Sequence, residues 1–108
     1  MKPMVCVDFD GVLNTYNGWK SVDELYFPRD GSKLFLEELS KKYTVTIFTT
    51  RDTVKVRDWM EKYDMYYDNI TNVKRGAVCY IDDRGLKFNG DYQETLNELS
   101  QFTTWWEE

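Results

Sequence analysis

The chain has 108 residues, 42% of them hydrophobic and 31% charged, a size and balance suited to one globular domain with a core of its own. It contains no histidine and carries a formal net charge of −5. These exclude a Ser-His-Asp triad, a histidine general base and a His-ligated zinc, and leave no overall basic footprint for duplex nucleic acid. No run of 18 apolar residues is present, and the opening MKPMVCVDFD lacks an apolar stretch of signal-peptide length, so neither a membrane span nor export is expected.

Residues 4–8 (MVCVD) form a short apolar run that passes directly into Asp8, Asp10 and Gly11 and predicts a strand ending on two carboxylates. Residues 12–30 (VLNTYNGWKSVDELYFPRD) read as a flap beside that strand end, made aromatic by Tyr16, Trp19, Tyr26 and Phe27. Apolar spacing predicts a helix over 32–43, with Phe35, Leu36, Leu39 and Tyr43 near one face and Asp30 or Ser32 as the cap. A second strand, 44–49 (TVTIFT), runs into Thr50 and Arg51. A helix over 53–63 follows, with Val56, Trp59, Met60 and Tyr63 on one stripe.

A weaker strand is predicted near 66–70, then Lys74, then a third strong strand at 77–82 (AVCYID) that ends on Asp82, Asp83 and Arg84. A short strand at 86–88 and a helix over 92–102 close the pattern. Tyr92, Leu96 and Leu99 form that helix's stripe, and Asp91 with Glu94 resembles a capping box. Cys6 and Cys79 each sit inside an apolar run and read as reduced, buried thiols of a cytoplasmic protein. Neither opens a Cys-x5-Arg loop, because Val12 and Gly85 stand where the arginine would be.

Strands alternating with helices predict a doubly wound α/β domain over residues 1–108, with a mostly parallel sheet. In such sheets ligands bind beyond the carboxyl ends of the strands. Those ends carry Asp8 and Asp10, then Thr49, Thr50 and Arg51, then Asp82, Asp83 and Arg84. Carboxylates gathered in one crevice repel one another, by about 4 kcal/mol per pair at about 4 Å and an effective dielectric near 20. A divalent cation relieves that repulsion. Oxygen ligands without histidine favour a hard ion, Mg2+ above Ca2+ or Zn2+.

Four motifs in this order resemble the haloacid dehalogenase superfamily of phosphotransferases and phosphatases: VDFDGVLN, VTIFTTR, the lysine of NVKRGA, and CYIDDRG. They span residues 5 to 85. The resemblance implies a Rossmann-like three-layer α/β/α sandwich and a Mg2+-dependent phosphatase. Asp8 would be the nucleophile that becomes an aspartyl phosphate. Asp10 would protonate the leaving oxygen and then deprotonate the hydrolytic water. Mg2+ would be held by the Asp8 carboxylate, the Asp10 carbonyl and Asp83, with Asp82 acting through water. Thr49, with Thr50 as its substitute, would hydrogen-bond the phosphoryl group, and Lys74 would stabilise its charge. Arg51, Arg84 and Trp19 complete the candidate substrate-binding residues.

Only 38 residues separate Asp10 from Thr49 and 24 separate Thr49 from Lys74, so neither interval has room for a folded cap domain. A capless, open site is expected. It would take a small phosphoester, a phosphoprotein or a nucleic-acid end, with a second copy of the chain as a candidate cover. The alternative is a non-enzymatic module of the same fold that binds a phosphorylated partner; the paired Asp8 and Asp10 argue against it. A response-regulator receiver places its acidic pair early and its phosphorylated aspartate in mid-chain, the reverse of the order here. Dehalogenase chemistry dispenses with Mg2+ and with the second aspartate.

Overall fold

The computed structural model describes residues 2–16, 25–73, 79–82, 86–87 and 90–107, with the side chains of 79, 80, 82, 86, 87 and 102–107 outside the description. In chain order the elements are β1 (Met4–Asp8), α1 (Ser32–Ser40), β2 (Thr44–Phe48), α2 (Thr53–Lys62), β3 (Asn69–Thr71), β4 (Cys79–Asp82), β5 (Leu86–Lys87) and α3 (Tyr92–Glu107). The five strands form one sheet in the order β3-β2-β1-β4-β5. Every strand pairing is parallel. β1 therefore lies at the centre, and all five carboxyl ends point to one edge.

Period-two alternation explains the core. Val5 and Val7 of β1, Val45 and Ile47 of β2, and Ile81 of β4 join one buried cluster with Phe35, Leu36 and Leu39 of α1. Val56, Trp59 and Met60 of α2 and Leu99 of α3 complete it. Stripe residues from all three helices thus belong to one cluster with these alternate strand residues. Cys6 and Thr46 alternate onto the opposite face, and both are buried as well. Truncating a fully buried residue such as Leu36 to alanine should cost about 2–5 kcal/mol.

Several boundaries differ from the expected ones. Helix α1 stops at Ser40 rather than residue 43, and Tyr43 is buried from the turn that follows. Neither Asp30 nor Ser32 caps it. The N-cap is Gly31 at φ 87°, with no side-chain hydrogen bond, and Ser32 is buried with its hydroxyl 3.9 Å from the Met65 sulfur. A Cβ on Gly31 would lie 3.3 Å from the Tyr92 ring, so the close approach of α3 selects glycine there. Asp91 does open α3, its carboxylate accepting from the Glu94 N–H at 3.1 Å. That helix runs on to Glu107, past the expected residue 102. β3 lies at Asn69–Thr71 rather than 66–70, because it pairs with Thr46–Phe48. Among the described residues no helix is long and apolar enough to cross a membrane.

Candidate functional site

β1 delivers Asp8 to the carboxyl edge of the sheet, where its Cα pairs with that of Phe48. The ladder continues one residue further, the Phe9 N–H donating to the Phe48 carbonyl at 3.0 Å. The chain then coils. The Leu13 N–H donates to the Phe9 carbonyl at 3.0 Å, and Gly11 takes φ +82°, a conformation costly for any residue with a Cβ. The coil takes the chain off the strand line after Phe9 and keeps Asp10 at the edge where β1 ends.

Asn14 fixes the coil. It is fully buried. Its Oδ1 accepts from the N–H of Gly11 at 2.9 Å and of Tyr16 at 3.1 Å. Its Nδ2 donates to Asp10 Oδ1 and to the Leu25 carbonyl, both at 3.0 Å. One side chain thereby ties the aspartate turn to both legs of the flap. Those legs also pair directly, the Thr15 N–H donating to the Phe27 carbonyl and the Arg29 N–H to the Leu13 carbonyl, each at 2.9 Å. Sequence reasoning did not single out Asn14. The available signal was a short amide three residues after a turn glycine, able to mimic a backbone turn.

β2 delivers the second group. Thr49 is buried, its N–H donating to the Thr71 carbonyl at 3.0 Å. Its hydroxyl oxygen accepts from the Arg51 N–H at 3.0 Å and turns the chain toward α2. Asp52 caps that helix by accepting from the Val54 N–H at 2.9 Å. The turn carries the Arg51 side chain back over β1. There Arg51 Nε donates to Asp10 at 2.9 Å for Oδ2 and 3.1 Å for Oδ1. The Nε of Arg51, a residue expected on the substrate, is thus held on the predicted acid–base residue. Thr50 is exposed beside it.

β4 ends on Asp82. Val7 pairs with Ile81, so one step further along the parallel ladder the backbone of Asp82 lies level with that of Asp8. The Asp82 side chain is outside the description, and Trp19, Lys74, Asp83 and Arg84 lie outside the described residues altogether. Lys74 follows the end of β3 by three residues in sequence. Among the described residues no group of three or more His, Cys, Asp or Glu stands together to hold a metal ion. The described carboxylates at this edge, those of Asp8 and Asp10, make an oxygen donor set. It suits a hard divalent cation.

No protein-family model matches the chain, and comparison with curated proteins and with solved structures finds no significant match either.

Proposed function

We propose that the chain is a Mg2+-dependent phosphoester hydrolase built on a capless, Rossmann-like three-layer domain of the haloacid dehalogenase type, acting through an aspartyl phosphate on Asp8. One observation carries the reading: Arg51, its N–H on the Thr49 hydroxyl and its Nε on the Asp10 carboxylate, joins the end of β2 to the edge where β1 delivers Asp8. A solvated acidic turn needs no such arrangement.

In the first step an Asp8 carboxylate oxygen attacks phosphorus and the bond to the leaving oxygen breaks. Asp10 gives that oxygen its proton. In the second step Asp10 takes a proton from water, the water oxygen attacks phosphorus, and the Asp8–phosphorus bond breaks to release phosphate. Arg51 is a positioning residue here. With Asn14 it holds the Asp10 carboxylate in one orientation. The Thr49 hydroxyl donates to a phosphoryl oxygen while accepting from the Arg51 N–H, and Lys74 offsets the charge that remains. Asp8, the Asp10 carbonyl and Asp83 would hold Mg2+, with Asp82 bound through water. The ion would supply the positive charge that lets an anionic nucleophile approach an anionic phosphoryl group.

The test is Asp8→Asn with p-nitrophenyl phosphate as substrate. Turnover and the acid-stable phosphoprotein should both disappear, whereas Asp10→Asn should slow hydrolysis and let the phosphoprotein accumulate. Wild-type turnover in Asp8→Asn would sink the reading and favour a module that only binds phosphorylated partners.

A further inference from the structure

A cavity of about 460 Å3 opens between the return leg of the flap and α2, within the size range of small-ligand sites. Its walls are aromatic: Tyr26 and Phe27 from the flap, Trp59 and Tyr63 from the helix. Phe27 is 73% exposed, although it leads into a leg held by backbone pairing. Tyr26 is kept at φ 64°, an uncommon conformation for an aromatic residue, and its carbonyl accepts from Trp59 Nε1 at 2.9 Å. Lys55, Asp58 and Lys62 line the same cavity. They recur at i, i+3 and i+7, a charged stripe about 10 Å long at 1.5 Å rise per residue.

Two contacts through the interior link the cavity wall to the aspartate turn. Trp59 meets the Phe9 ring edge-on with centroids 4.8 Å apart, and Phe9 stands between Asp8 and Asp10. Asn14 Nδ2 donates to both Asp10 Oδ1 and the Leu25 carbonyl, and Leu25 lines the cavity. Aromatic walls suit a flat ring. Lys55 and Lys62 bring positive charge to the cavity that draws in a phosphorylated ligand, against the acidic balance of the chain. The Asp58 carboxylate offers an acceptor to an exocyclic amino group.

We infer that this cavity is the base subsite for a nucleotide whose phosphate reaches the Asp8 edge. This rests on the phosphoester reading for the place of the phosphate. Stacking on rings interleaved with lysines is how single-stranded nucleic acid is held without sequence readout. The nucleotide is either free or the end of a single strand.

Binding to the full chain, measured by calorimetry in EDTA, tests the inference apart from catalysis. Adenosine 5′-monophosphate should bind about tenfold tighter than ribose 5-phosphate, the gain expected for one stacked base. Phe27→Ala, at an exposed position that should leave the melting temperature unchanged, should remove most of that advantage. Lys62→Gln should weaken the nucleotide and flatten its salt dependence. A 5′-phosphorylated trithymidylate that binds tighter than the mononucleotide assigns the site to strand ends; equal affinity assigns it to free nucleotides. Equal affinity for adenosine 5′-monophosphate and ribose 5-phosphate would overturn the inference, as would an advantage that survives in Phe27→Ala. Nucleotide binding through Phe27 in a chain that cannot hydrolyse p-nitrophenyl phosphate would keep the base subsite and remove only the hydrolase.

Discussion

Arg51 Nε contacts both carboxylate oxygens of Asp10, a residue from the neighbouring strand end, at 2.9 and 3.1 Å. The arginine side chain is 4% exposed and that of the aspartate 27%. The pair is therefore neither a surface salt bridge, worth almost nothing, nor a fully dry one. It acts as a clasp between the two loops that frame the candidate site.

Breaking the clasp from one side should destabilise the fold. Arg51→Met leaves a part-buried carboxylate without its cation and should cost about 1–3 kcal/mol, less than for a fully buried pair because Asp10 still reaches water. Adding Asp10→Asn should recover part of that cost. Urea unfolding of the two single variants and the double variant measures the coupling; strictly additive losses would show that the contact carries no stability.

The two left-handed glycines should respond differently to alanine. At Gly11 a Cβ meets nothing within 4 Å, so Gly11→Ala should cost only the backbone term of about 1–2 kcal/mol. At Gly31 the Cβ also presses on the Tyr92 ring at 3.3 Å, so Gly31→Ala should unfold at lower temperature than Gly11→Ala. The reverse order in a thermal melt would argue against the close approach of α3 to the start of α1.

Magnesium should raise the melting temperature, since an ion that binds only the folded chain stabilises it by mass action. Asp83→Asn should reduce that rise. A calorimetric titration to millimolar Mg2+ with no heat and no thermal shift would remove the metal from the proposal.

High pH should expose the tether from α3. The Tyr92 hydroxyl donates to the Val12 carbonyl, and its ring stacks on Phe35 with centroids 4.6 Å apart. Burial pushes the phenol up from 10.0 to about 12, partly opposed by Arg29. The unfolded chain loses this proton first, as pH passes 10, so the stabilisation is whole below pH 10 and is lost between about pH 10 and 12. Tyr92→Phe should be less stable at neutral pH by about 1 kcal/mol and should show a smaller fall in melting temperature across that window. Parallel pH profiles for the two proteins would mean that Tyr92 does not carry the effect.

What the sequence determined alone was the set of parts. Val5, Val7, Val45 and Ile47 announce buried strands because apolar runs bounded by turn residues reflect burial directly. Val56, Trp59 and Met60 announce a helix stripe because their spacing matches the helical period. The Asp-x-Asp-Gly stretch after an apolar run marked a turn at a strand end for the same reason: turn chemistry and strand end are neighbours in the chain. Tertiary structure decided what lies far apart in sequence. The parallel register of β1 and β2 puts Arg51 on Asp10. The return of the flap gives Asn14 a partner in Leu25. α1 starts from Gly31 rather than Asp30 or Ser32, at a left-handed position against which Tyr92 of α3 packs. β3 lies where β2 offers it partners, not where its own residues look most strand-like. Periodicity records whether a residue is buried; only the folded chain selects which distant polar group meets it there, because that choice depends on register and crossover geometry that no local pattern encodes.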